Sequence, residues 1–384
     1  MNNKIKVLIA DDIIDTITLI KRILLMESDI FEVVGEATNG EEVLELIPKV
    51  NPDVVLMDIN MPVLNGLEAT EQITNTFPNV IVIIMSVQGE SEYLKKAMLN
   101  GAKEYIIKPF NVDDLIETIR VTYTKYRDRQ IKMLSRQEKD REGKVITFFS
   151  SKGGVGKSVL ALNCAVMLSK NPNKKVLLID MDLQFGDISI LTNQINHKSI
   201  LDLVDEGQLD SYENIIPYLY IYNENLHMMF APGKPEAAEY IGRNDIEKII
   251  KACQKHYDVL VIDTGINFND NTLFILDYSH TIIFVSTMEI TALKNTKLGL
   301  NVMRSLGYDK SKVKLVINKM DAGYGVSKND VEETFKDNLL AMIPRKDKIV
   351  GLSVNRGQPI CDSDKYNKIK VCKAIEEMCS KLTV

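Results

Sequence analysis

No apolar run in this 384-residue chain approaches the length a helix needs to cross a bilayer, so no membrane-spanning helix is expected. The first residues, MNNKIKVLIADD, pass straight into a strand pattern without a signal-type apolar region or cleavage site, and a cytoplasmic protein is expected. Cysteine is sparse. Cys164, Cys253, Cys361, Cys372 and Cys379 are scattered, lack metal-ligand spacing and sit in apolar or helical surroundings, which fits reduced thiols rather than a disulfide framework. There is no repeat at a period of roughly 20 to 50 residues and no low-complexity tract. Nor is there a basic surplus: 47 Lys+Arg against 53 Asp+Glu leave a net charge of −6, so charge points to no specific nucleic-acid partner.

The hydrophobic share, 45%, suffices for ordinary cores, and the length suggests two or three domains. Charge divides the chain as well. Residues 1–122 hold 10 basic and 20 acidic side chains, residues 123–143 hold 7 and 4, and the remainder 30 and 29. In the first segment short β-branched runs at Val7–Ala10, Val33–Glu36, Val54–Met57, Ile81–Met85 and Tyr105–Ile107 alternate with amphipathic stretches, predicting a doubly wound, five-stranded parallel sheet. Residues 123–143 read as a helical linker. Ile116, Ile119, Tyr123, Tyr126 and Met133 keep a 3-4 spacing broken only at Gln130, compatible with a short coiled coil. Residues 144–384 form a second alternating series, with strands expected at Val145–Phe149, Val176–Asp180, Leu226–Phe230, Val259–Asp263, Thr281–Ser286 and Val313–Asn318. The fold class is α/β throughout, and the second sheet should be mostly parallel.

The stretch Ser151–Ser158, SKGGVGKS, lies between the first of these strands and a helical pattern. A glycine-rich turn there, Gly153, Gly154, Val155 and Gly156, exposes consecutive backbone N–H groups at a helix N-terminus and can hold phosphate oxygens. Lys157 is placed for the β- and γ-phosphates and the Ser158 hydroxyl for Mg²⁺. Position 151 is Ser where the plain P-loop pattern has Gly, but Lys152 supplies a second lysine. The resulting KGGVGKS resembles the deviant Walker A motif of the MinD/ParA family of dimeric ATPases, in which the extra lysine reaches the phosphates of a partner subunit. By that resemblance Lys152 contributes across a homodimer, Asp263 is the Walker B residue at the Mg²⁺ site, and Asp182 positions the attacking water. Asn318 and Lys319 match the adenine-contacting pair, and Pro359 closes NRGQP, which resembles the loop beside the base. The TGINFND segment after Asp263 departs from the family pattern, so ATP binding is better supported than turnover, and a weak ATPase is the expectation. The C-terminal stretch Ile369–Leu382 reads as a packed terminal helix, not a membrane anchor.

In the first segment Asp11 and Asp12 follow one predicted strand, Asp58 the third, Ser86 the fourth, and Lys108 with Pro109 the fifth. Carboxylates gathered at strand ends repel unless a cation neutralises them, which suggests Mg²⁺ and a carboxylate nucleophile toward phosphorus. With MDINMPVLNG around Asp58, this set resembles the receiver domain of two-component response regulators, a flavodoxin-like fold. The resemblance makes Asp58 the phosphoacceptor, which the domain would itself phosphorylate from a phosphodonor supplied by a histidine kinase or phosphotransfer protein. Asp12, Asp58 and the Asn60 carbonyl would hold the metal, with Asp11 behind them. Lys108 would pair with the phosphoryl group, Ser86 would be the switch hydroxyl and Tyr105 the switch aromatic.

A receiver joined to a MinD/ParA-like ATPase resembles the TadZ/CpaE family, which localises Flp/Tad pilus and secretion machinery; LQFGD at Leu183–Asp187 fits it too. That resemblance implies a polar position or recruitment to the inner face of the membrane through partners. Two other functions compete with it. A ParA-like DNA-positioning ATPase would need a basic surface, and a transcriptional response regulator would need a helix-turn-helix where this chain has a P-loop.

Overall fold

A computed structural model describes residues 4–77, 79–87, 91–135, 142–194, 197–207, 209–321, 325–363 and 368–382, without side chains at 91–94 and 128–135. The chain divides into two compact units between Met133 and Leu134, within the long helix Val112–Ser135. In the first unit β1 (Ile5–Ala10), β2 (Phe31–Ala37), β3 (Val54–Asp58), β4 (Ile81–Val87) and β5 (Glu104–Lys108) form a parallel sheet in the order β2-β1-β3-β4-β5.

Because side chains alternate across a strand, β1 feeds two cores. Val7 and Ile9 pack with Ile17, Ile20 and Leu24 of the helix Ile14–Met26, while Leu8 and Ala10 pack with Val43, Ile47, Ala69 and Ile73 on the opposite face. Each fully buried aliphatic side chain contributes about 1.5–3 kcal/mol, so the central strands must be apolar on both sides. Ile119 is buried in the first core and Ile116, Tyr123 and Tyr126 pack against it, so that part of the 3-4 stripe serves the first unit itself. The side chains of Gln130 and Met133 lie outside the described residues.

In the second unit the strands are β6 (Lys144–Phe149), β7 (Val176–Met181), β8 (Tyr220–Asn223), β9 (Leu226–Met229), β10 (Val259–Thr264), β11 (Thr281–Ser286), β12 (Val313–Met320) and β13 (Leu339–Pro344). Their order is β13-β12-β11-β6-β10-β7-β9-β8, and β8 alone pairs antiparallel. Two of these strands, β8 and β13, at the two edges, have no counterpart among those read from the sequence. The C-terminal helix Lys370–Ser380 buries Val371, Cys372, Ile375, Met378 and Cys379 in the core that also holds the P-loop helix Lys157–Ser169. Among the described residues no helix is long and apolar enough to cross a membrane.

Candidate functional site

At the carboxyl end of the first sheet the chain leaves β1 and β3 in opposite directions, opening a crevice between them. Asp11 and Asp58 stand in it, fully and nearly buried, and Lys108 from the end of β5 bridges them with its ammonium, 2.5 Å from Asp11 Oδ2. Backbone donors complete the carboxylates: Ile13 N–H donates to Asp11 Oδ1 at 2.9 Å and Asn60 N–H to Asp58 Oδ2 at 2.7 Å. Burial works to lower the Lys108 pKa, but its hydrogen bonds with Asp11 and Asp58 outweigh that and hold it above the usual lysine range. Ser86 is buried on β4, whereas Asp12, Asn60 and Tyr105 are exposed. The oxygens of Asp11, Asp12, Asp58 and the Asn60 carbonyl are the hard donors that Mg²⁺ takes. Lys108 Nζ now occupies the space between two of them, and among the described residues no three acidic side chains already converge as a metal cage.

Gly66 explains part of the MPVLNG segment. A Cβ there would lie 2.0 Å from the Asp58 carbonyl oxygen, so the helix Gly66–Thr76 can start this close to Asp58 only at glycine. Gly66→Ala is expected to destabilise the first unit by roughly 1–3 kcal/mol through overpacking and to slow Asp58 phosphorylation by a small phosphodonor. Thermal unfolding and phosphoprotein mass measurement check this; an unchanged melting temperature would refute it.

In the second unit the P-loop follows β6. Gly154 and Gly156 take positive φ, +74° and +87°, and a Cβ on Gly156 would lie 2.5 Å from Asn318 Nδ2. Lys157 is buried with its ammonium 2.6 Å from Asp263 Oδ1 and 3.8 Å from Asp182 Oδ2. Burial pushes the Asp263 carboxyl above the usual carboxylate range, opposed by the charge and hydrogen bond of Lys157. Its Oδ2 is buried without a hydrogen-bond partner. An orphaned carboxylate oxygen in the strand beside the P-loop strand fits a divalent cation shared with the Ser158 hydroxyl.

Asp180 lies opposite Asp263 in the β7–β10 pairing. Burial and the Asp263 charge push its carboxyl well above the usual range. Its two oxygens accept from Asp182 N–H at 3.2 Å and Ile188 N–H at 3.1 Å. Asp182 lines the open space over the phosphate loop, while Asp180 pins the segment from Asp182 to Ile188. Lys152 is tied down on its own chain: its ammonium hydrogen-bonds the Glu289 carboxylate and, at 3.0 Å, Thr291 Oγ1.

A cavity of about 620 Å³ lies over the loop, lined by Lys152, the loop from Gly153 to Ser158, Asp182, Phe185 and Asn267 among others. A second, mostly apolar cavity of about 300 Å³ adjoins Gly156 and is walled by Asn318, Lys319, Ile343, Arg345, Val371 and Ile375. Asn318 Nδ2 donates to Val155 O at 2.8 Å and Lys319 Nζ to Gly154 O at 2.8 Å, clamping the phosphate loop to the end of β12. Pro359 is buried, but it is its neighbour Ile360 that reaches the second cavity; Gly357, at φ +59°, instead packs on Asn193. Glu289, Thr291, Arg345 and the β13 residues are contributors that sequence reasoning missed.

A buried acid-and-lysine crevice at the switch point of one sheet, and a two-lysine glycine-rich loop beside paired acids on another, are the marks of a receiver-type unit joined to a P-loop unit. Comparison with known proteins agrees. The model of the response regulator receiver domain matches residues 7–120, and that of an AAA domain residues 143–317. The chain is 43% identical over 115 residues to the chemotaxis protein CheY of Listeria monocytogenes, covering 30% of this chain and 95% of that one. It therefore belongs to the response-regulator receiver family. It matches the transcriptional regulatory protein DegU of Brevibacillus brevis at 43% identity, but spans only 50% of that protein's length. The second unit is MinD/ParA-like. It is 26% identical over 226 residues to the septum site-determining protein MinD of Thermotoga maritima, 57% of this chain and 81% of that one. It also shares the fold of a ParA family ATPase from Chlorobium tepidum, with a TM-score of 0.58 at 20% identity over 62% of this chain and 99% of the other.

Proposed function

We propose that this chain is a phosphorylation-responsive, ATP-binding positioning protein of the TadZ/CpaE kind, which localises Flp/Tad pilus or secretion machinery through an ATP-dependent homodimer. The observation that carries the reading is the presence in one chain of the Asp11–Lys108–Asp58 crevice and of a P-loop whose lysines face Asp263, Asp182 and Glu289.

In the first unit an Asp58 carboxylate oxygen attacks the phosphorus of a phosphodonor presented by a histidine kinase or phosphotransfer protein, and the donor's bond to phosphorus breaks as its imidazole leaves with that electron pair. Lys108 then exchanges a carboxylate for a phosphoryl oxygen, Ser86 donates its hydroxyl to the phosphoryl group, and Tyr105 follows it inward. In the second unit the backbone N–H groups from Gly153 to Lys157 hold the phosphates and Lys157 turns from Asp263 toward them. Asp182 orients a water for slow hydrolysis, and Lys152 leaves Glu289 for the phosphates of a second copy. Asp12, Asp58 and Asn60 would hold Mg²⁺ in the receiver, as Ser158 and Asp263 would in the ATPase site; when bound it neutralises phosphate charge. Phosphorylation changes the receiver surface, and receiver pairing raises the local concentration of P-loop domains.

Light-scattering size measurements of the full chain test the reading. Wild type is expected to dimerise with Mg²⁺-ATP, and more readily with a phosphoryl mimic at Asp58. Lys152→Ala is expected to stay monomeric and Asp182→Ala to persist as a dimer. An assembly state indifferent to nucleotide and to both substitutions would overturn it.

A further inference from the structure

Four of the five cysteines, from three separate segments, meet behind the P-loop. Cys164 lies on the helix Lys157–Ser169, Cys361 in the turn Ile360–Asp362, and Cys372 and Cys379 on the helix Lys370–Ser380. The sulfurs of Cys164 and Cys379 are 3.4 Å apart, and Cys361 and Cys372 lie close enough to shift each other's thiols. All four are buried in the core of the second unit. The same three segments wall the apolar cavity: Val159 and Leu160 from the first, Ile360 from the second, Val371 and Ile375 from the third. Among the described residues no group of three or more His, Cys, Asp or Glu side chains is placed to hold a metal. The cluster is therefore a pair of thiol pairs set in the segments that wall the apolar cavity.

We propose that Cys164 and Cys379 form a reversible disulfide under a small-molecule disulfide oxidant, and that the cross-link weakens nucleotide binding by narrowing the cavity beside Gly156. The second half rests on the nucleotide reading given above. Cys379, 6% exposed and on the last turn of its helix, is the point of entry. Its thiolate attacks one sulfur of the oxidant, whose S–S bond breaks; a mixed disulfide forms and one small thiolate leaves. The Cys164 thiolate then attacks Cys379 Sγ, forming the protein disulfide and expelling the second small thiolate. Two electrons pass to the oxidant, and the two protons the cysteines lose are taken up by the departing thiolates. A disulfide needs its sulfurs about 2.05 Å apart, so the pair must close by more than about 1 Å. That motion draws the Val371 and Ile375 side toward Val159 and Leu160. The Cys164 thiol is held above its ordinary range by its hydrogen bond with Cys379 and by burial, so the reaction is slow near neutrality and quickens as pH rises.

The full chain is incubated with oxidised glutathione near about pH 8, alkylated while folded and mapped by mass spectrometry, and binding of a fluorescent ATP analogue is measured. The expected result is a Cys164–Cys379 peptide pair, a Kd at least about tenfold higher, and recovery with dithiothreitol. Cys379→Ser should bind as the reduced wild type and ignore the oxidant. Absence of the cross-link in the folded chain, or an unchanged Kd once it has formed, would overturn the proposal. A cross-link in a chain that binds no nucleotide even when reduced would instead overturn the nucleotide reading, leaving the disulfide standing.

Discussion

Lys157→Ala is expected to destabilise the second unit by about 3–5 kcal/mol as well as abolish nucleotide binding, because the lysine is also the counterion of a buried acid. Asp263 has no exposed surface and its Oδ1 lies 2.6 Å from the ammonium. Asp180 faces Asp263 across the β7–β10 pairing and Asp182 stands 3.8 Å from the same ammonium, so one cation serves three carboxylates. Removing it leaves Asp263 uncompensated where burial already pushes its carboxyl upward, and the acid must then take up a proton. The variant should therefore regain stability as pH falls, opposite to the usual acid response. Adding Asp263→Asn removes the stranded charge, so the double variant should melt above Lys157→Ala while still binding no nucleotide. Calorimetry of wild type, Lys157→Ala, Asp263→Asn and the double variant, with nucleotide titration beside it, makes the check; Lys157→Ala melting as wild type would refute it.

That network shows where sequence legibility ended. The phosphate loop is a local device: β6, a turn with two left-handed glycines and a helix are contiguous, so the grammar of strand, glycine and lysine suffices. The Asp11, Asp58 and Lys108 crevice was legible for a different reason, since parallel strands put their carboxyl ends on one edge and fix where strand-end residues meet. Such register arguments do not extend to side-chain partners. Glu289 and Thr291 reach Lys152 from more than a hundred residues away, and nothing in the GGVGKS segment specifies them.

The cysteines make the same point. They look scattered because their meeting depends on three segments packing around one core. Strand β13, LLAMIP, is a short apolar run that ends in proline and lies mostly half-buried at the edge of the sheet, so nothing local separates it from a helical or loop segment. The wall of the apolar cavity includes Arg345 and Ile360, whose part in it depends on where β13 lies.

A second large effect is expected from acid. His227 is buried on β9 with Nδ1 2.6 Å from the Tyr257 hydroxyl, which in turn accepts from the Tyr212 hydroxyl at 2.8 Å. Burial first, and then the charge of Lys175, lower its pKa from 6.5 to about 4. The unfolded chain therefore binds a proton here between about pH 6.5 and 4 that the folded chain refuses, so stability falls as pH falls through that window. Above it the imidazole is neutral in both states and contributes no slope. Integrated over the window, the loss reaches about 3 kcal/mol by pH 4. Hydrogen exchange of the β9 and β10 amides between about pH 7 and pH 4.5, corrected for intrinsic rates, should show this loss in wild type. In His227→Gln, which keeps a polar side chain but cannot titrate, the slope should fall by one proton. Equal slopes in the two proteins would place the acid sensitivity elsewhere, and the Tyr212–Tyr257–His227 chain would then be a packing feature alone.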